Sequence, residues 1–83
     1  MFEAWIVIEG TPRTGKERLF PRIYSAACEA IDAVDDYCEA NGLDLANASF
    51  YDTDIGYEFC FYPKGSLIPS KVFEIINARR RAQ

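Results

Sequence analysis

Apolar residues recur along this chain with two different periods. From Ser25 to Gly42 (SAACEAIDAVDDYCEANG) the period is helical. At roughly 100° per residue, Ala27, Ile31, Val34 and Cys38 fall on one stripe, flanked by Ala30 and Tyr37. Ser25 is placed to act as N-cap through its hydroxyl, and Gly42, beside Asn41, to end the helix in a left-handed conformation. The small residues of the stripe let such a helix lie close against a sheet. Glu29, Asp32, Asp35, Asp36 and Glu39 occupy the opposite arc with no base between them, and Cys28 falls among them, toward solvent.

Elsewhere the period is two. Phe2 to Glu9 alternates as a strand, with Phe2, Ala4, Ile6 and Ile8 on one face and Glu3, Trp5, Val7 and Glu9 on the other. Gly10 to Gly15 is rich in turn residues, and Lys16 to Ile23 reads as a second strand pairing back as a hairpin. Pro21 cannot donate to a ladder, so that strand belongs at an edge, which Arg18 and Arg22 help to protect. After a connection over Leu43 to Asn47, Ala48 to Asp52 and Tyr57 to Tyr62 read as a second hairpin turning at Thr53, Asp54, Ile55 and Gly56. A short second helix is predicted from about Ser70 to Ala82. Ser70 would cap it, Val72, Phe73, Ile75 and Ile76 would form its apolar side, and Arg79, Arg80 and Arg81 would complement its dipole.

These elements predict one α+β domain over residues 1–83 in the order ββαββα. Its four-stranded antiparallel sheet carries the long helix across one face. If both helices share that face, the strand sides bearing Phe2/Ile6 and Phe59/Phe61 form the core. Trp5, Val7, Tyr51 and Tyr62, with Cys60, then stand on the other side as an exposed aromatic patch, the kind of surface that serves as an interface.

The apolar and charged fractions, 49% and 27%, are those of an ordered globular protein rather than a disordered one. The longest apolar run near the N-terminus, Ala4 to Ile8, is far too short to span a membrane and has no basic leader. The expectation is a cytoplasmic protein with no membrane partner. The net charge of −4 conceals a block pattern: residues 23–63 hold nine acids and no base, whereas both flanking segments are net basic. A central segment of this kind argues against direct nucleic-acid binding, where basic surface supplies most of the affinity.

Candidate chemistry thins out on inspection. Gly10-Thr11-Pro12-Arg13-Thr14-Gly15-Lys16 matches the G-x4-G-K part of a phosphate-binding loop. Glu17 stands where that loop needs a hydroxyl for magnesium, and the residues that follow do not start a helix to face the phosphates. Asp52 and Asp54 could pair around a divalent ion, but aspartate is common in turns because its side chain caps its own backbone. The three cysteines Cys28, Cys38 and Cys60 have no paired spacing, and the chain has no histidine. A zinc set or a base-activated thiol therefore lacks its usual partners, and no catalytic residue, metal or cofactor is assigned.

What remains is surface. The expected function is that of a small acidic, non-enzymatic binding protein, with Glu29, Asp32, Asp35, Asp36 and Glu39 meeting a basic protein surface. An inhibitor encoded by a phage or mobile element, blocking a nucleic-acid-handling partner, is one concrete form. The alternative is a self-associating, homodimeric accessory or structural domain that uses the Trp5/Tyr62 sheet face.

Overall fold

The computed structural model describes residues 3–81. The chain forms β1 (Trp5–Thr11), β2 (Lys16–Leu19), α1 (Ala27–Ala40), a 3-10 turn (Leu45–Asn47), β3 (Ser49–Thr53), β4 (Gly56–Phe61), β5 (Lys71–Asn77) and a last helical turn, α2 (Ala78–Arg81). The α+β class, the antiparallel sheet and the two expected hairpins are all present. The sheet, however, has five strands, in the order β2-β1-β5-β4-β3.

The additional strand is the segment predicted as the second helix. Lys71–Asn77 pairs with β1 on one side and β4 on the other, and only Ala78–Arg81 is helical. The final part of the predicted helix, from Ala82, lies outside the described residues, as does Phe2. Val72, Phe73, Ile75 and Ile76 imitate a helical stripe because an interior strand is apolar on both faces, which hides its period of two. Phe73 and Ile75 face α1, while Val72, Glu74 and Ile76 face the other way. The β-branched and aromatic content of VFEII was the strand signal in that segment.

α1 lies across β1 and β5. Its buried residues Ala30, Val34 and Cys38 meet Val7, Phe73 and Ile75, all fully buried, with Phe59, Phe61, Phe20 and Tyr24 around them. Phe73 is at the centre, its ring edge-on to Phe20, Tyr37 and Phe61 at centroid distances of 6.3, 5.8 and 6.1 Å. Close approach of β4 to β5 depends on Gly56, where a Cβ would run into the Ile75 carbonyl.

The register assigns β1's faces opposite to the expectation. Val7 is opposite Ile75 and Glu9 opposite Phe73, so Trp5, Val7 and Glu9 share the helix side with Phe59 and Phe61. Ile6 and Ile8 face away. Both sides of β1 are apolar, so alternation alone could not say which one the helix covers. β2 is an edge strand, as expected, but it stops at Leu19 rather than running to Ile23, so Pro21 lies beyond the ladder instead of within it. Beyond it the chain returns to β1 through mutual 2.8 Å backbone hydrogen bonds between Trp5 and Tyr24.

Candidate functional site

The helix boundaries decide what α1 shows to solvent. Its N-cap position is Ala26, which makes no side-chain cap bond. Ser25 instead donates from its backbone N–H (3.2 Å) and its hydroxyl (2.8 Å) to the Glu29 carboxylate, so the acid reaches back to the serine. At the other end Gly42 takes φ 73°, and Leu43 N–H donates to the Cys38 carbonyl at 2.8 Å, closing the helix in a left-handed turn. The Asn41 side-chain amide donates to the Tyr37 carbonyl at 2.7 Å. No base lies in the last turn.

Between these ends Glu29, Asp32, Asp35, Asp36 and Glu39 are all exposed, with Cys28 among them, as the periodicity implied. Among the described residues none of the five carboxylates takes part in an ion pair. Arg22 lines the same shallow hollow as Glu29, Asp32 and Asp36, but its guanidinium lies over the Tyr24 ring, 5.7 Å from the centroid. Past the helix, Asp44 joins Asp35 and Glu39 around a second hollow. Asp44 was not legible as part of this surface, because its place depends on how the chain turns after Gly42. Its carboxylate also accepts from Ala46 N–H at 3.0 Å and caps the 3-10 turn.

The aromatic patch expected around Trp5 is not assembled. Trp5 and Val7 are 8% and 0% exposed, in the core beneath α1, with the Trp5 ring stacked on Tyr57 at 6.0 Å. Tyr51 and Tyr62 are on the opposite side of the sheet, exposed, and hydrogen bonding with Tyr51 pushes the Tyr62 hydroxyl up to about 12. A two-fold interface through Trp5 and Val7 is therefore ruled out by their burial.

The remaining candidates resolve into structure. Gly10 and Thr11 are the end of β1 and Lys16 begins β2; a four-residue turn, held by Thr14 and Gly15 N–H bonds to the Thr11 carbonyl, joins them. The glycine–lysine segment thus leads into a strand and forms no phosphate cradle at a helix start. Asp52 and Asp54 are exposed, on β3 and in its turn, and no metal-binding group occurs among the described residues. Cys38 and Cys60 are buried. Burial, with Asp35 near by, pushes the Cys38 thiol up to about 11; burial and the Glu58 hydrogen bond push Cys60 up to about 12. Thiols held this high are poor nucleophiles at neutral pH.

One polar cluster was invisible in the sequence. Glu9, buried on the helix side of β1, accepts from the Tyr37 hydroxyl at 2.8 Å and pairs with Arg18 at 3.2 Å and Lys71 at 3.1 Å. Arg18 also donates to the Tyr37 oxygen at 2.9 Å, and Lys71 to Thr11 Oγ1 at 3.0 Å. Every buried polar side-chain atom among the described residues has a partner, and the cluster ties β1, β2, β5 and α1 together.

Comparison with protein-family models, characterised proteins and solved structures returns no match.

Proposed function

We propose that this is a non-enzymatic binding protein whose acidic helix face docks on a basic surface of another protein. A groove lined with Lys and Arg for nucleic acid is the surface chemistry it fits, and a phage or mobile-element inhibitor would block such a groove by occupying it. The observation that supports this reading is the outer face of α1: five exposed carboxylates on one 14-residue helix, outside every intramolecular ion pair of the described residues. Exposed charges of one sign steer association and make it salt-sensitive, because they interact weakly beyond about 8 Å at physiological ionic strength.

The test reverses three of the five. The triple variant D32K/D36K/E39K leaves Glu29 in place, since Glu29 holds Ser25. The fold is expected to survive, because all three positions are exposed and lysine near a helix C-terminus complements the dipole. Parent and variant are immobilised and compared for the proteins each retains from a lysate of the native host. Proteins held by the parent at low salt should be released by the variant and by several hundred millimolar salt, with association slowed at least roughly tenfold. The same proteins retained equally by both, at both salt concentrations, would reduce the helix to a solvated face.

A further inference from the structure

The two edges of the sheet are built differently. β2 carries Lys16 and Arg18 and runs into Pro21, devices that discourage another strand from pairing there. β3, Ser49-Phe50-Tyr51-Asp52-Thr53, has no proline, no base and no bulge, and pairs residue for residue with β4. α1 packs on β1 and β5, leaving both sides of the β3 edge open. Phe50 on the helix side and Tyr51 and Tyr62 on the other are 49%, 46% and 41% exposed.

The hairpin dictates which backbone groups this edge offers. Its two-residue turn closes on Thr53 opposite Gly56, a hydrogen-bonded pair, so Tyr51 and Ser49 also direct their N–H and C=O groups toward β4. Phe50 and Asp52 direct theirs outward. We propose that β3 pairs with β3 of a second copy of this chain, antiparallel about a two-fold axis at Phe50, joining two five-stranded sheets into one.

Three features select a second copy and this register. Phe50 meets Phe50 of the other copy as an aromatic cross-strand pair, and its outward N–H and C=O groups find the same groups reversed. On the other side Tyr51 falls opposite Ser49 of the other copy, leaving room for the phenol ring. Asp52 falls opposite Ala48, so the two Asp52 carboxylates are about 14 Å apart along the strands, beyond the Debye length at physiological salt. A register centred on Tyr51 would bring them within about 7 Å. Face-to-face stacking of two sheets is a poorer solution, since Glu58 and Glu74 are directly opposite each other on the open face and would be buried.

This inference is independent of the helix reading and has the opposite salt dependence. Each copy is net −4, so screening favours the dimer while weakening a contact between acidic and basic surfaces. Light scattering coupled to gel filtration, over a concentration series at low and high salt, should give a mass approaching two chains at high concentration, and more dimer at high salt. Phe50→Lys places two ammonium groups across the axis and should weaken the dimer at least roughly tenfold, leaving the monomer's far-ultraviolet circular dichroism unchanged. Asp52→Pro removes an outward N–H without touching the β4 ladder and should do the same. In a Cys28→Ser background, Phe50→Cys should oxidise to a linked dimer, its Cα atoms about 5.5 Å apart, whereas Thr53→Cys, about 20 Å from its own copy, should not. A one-chain mass at every concentration overturns the proposal. So does a dimer that persists in both Phe50→Lys and Asp52→Pro.

Discussion

A carboxylate on the core side of an interior strand is costly unless its charge is met, and Glu9 shows how this chain meets it. Burial by itself raises the Glu9 carboxyl, but the hydrogen bond from Tyr37, together with Lys71 and Arg18, outweighs burial and holds it below its ordinary value. Tyr37 responds in the other direction, its hydroxyl raised by burial and by the bond to Glu9. A carboxylate whose folded pKa is depressed contributes stability above the ordinary carboxylate range, and that contribution is lost as pH falls through the folded pKa. Arg18 is largely exposed and solvent screens its share, so most of the effect belongs to Tyr37 and Lys71. Glu9→Gln should cost about 1–2 kcal/mol at pH 7 in urea unfolding, and the gap between parent and variant should narrow as pH falls below the ordinary carboxylate range and through the folded pKa. A gap that stays constant from pH 7 to pH 3 would show that the charge is not what stabilises. Nothing local in the sequence marks Glu9 for this role: it reads as the polar side of an alternating strand, and Tyr37, the partner that lowers it most, is 28 positions away. The outer carboxylates of α1 were legible for the opposite reason, since helical period alone places them.

At the scale of elements, α1 and the two hairpins could be read from local pattern, whereas β5 could not. An amphipathic helix and a short-loop hairpin each report one buried face through spacing. A strand covered on one face by a helix and flanked on both sides by other strands has few polar positions to report its period, and the spacing of Val72, Phe73, Ile75 and Ile76 then fits a helix equally well. The physical difference lies in the backbone: β5 is hydrogen-bonded along both edges, to β1 and to β4. Native-state hydrogen exchange separates the two descriptions. Amides of Phe73, Ile75 and Ile6, which bond between interior strands, should exchange only through global unfolding, the slowest class in the protein, while those of β2 exchange through local opening. Had Ser70–Ala82 been a peripheral helix, its amides would exchange faster than those of β1 and β4. Slow exchange confined to α1, with β5 fast, is the result that would count against the sheet order described here.

At the scale of the whole molecule, the sheet is completed by its last strand. β1 and β5 are neighbours although Trp5 pairs with Asn77, so the N-terminal hairpin and the C-terminal segment meet only after the rest of the chain has been laid down. β1–β2 on one side and β3–β4 on the other have no direct pairing; β5 alone bridges them. Such long-range closure makes folding slow for the chain's size, since loop entropy is lost before the pairing is gained. It also makes the fold all-or-none with respect to residues 71–77. Deleting residues 71–83 removes Phe73 and Ile75 from the core, Lys71 from Glu9, and a pairing partner from both β1 and β4. Two separated hairpins and one helix of 14 residues remain, each marginal in isolation. A chain of residues 1–70 should therefore show no cooperative thermal transition and a collapsed amide proton dispersion, with all three thiols reacting at the rate of an unfolded control. In the untruncated 83-residue chain Cys28 should react readily, while burial protects Cys38 and Cys60. A truncated chain that keeps a cooperative transition and two protected thiols would mean that the four remaining strands and α1 make a sufficient core without β5, and would return the C-terminal segment to the peripheral role that its spacing first implied.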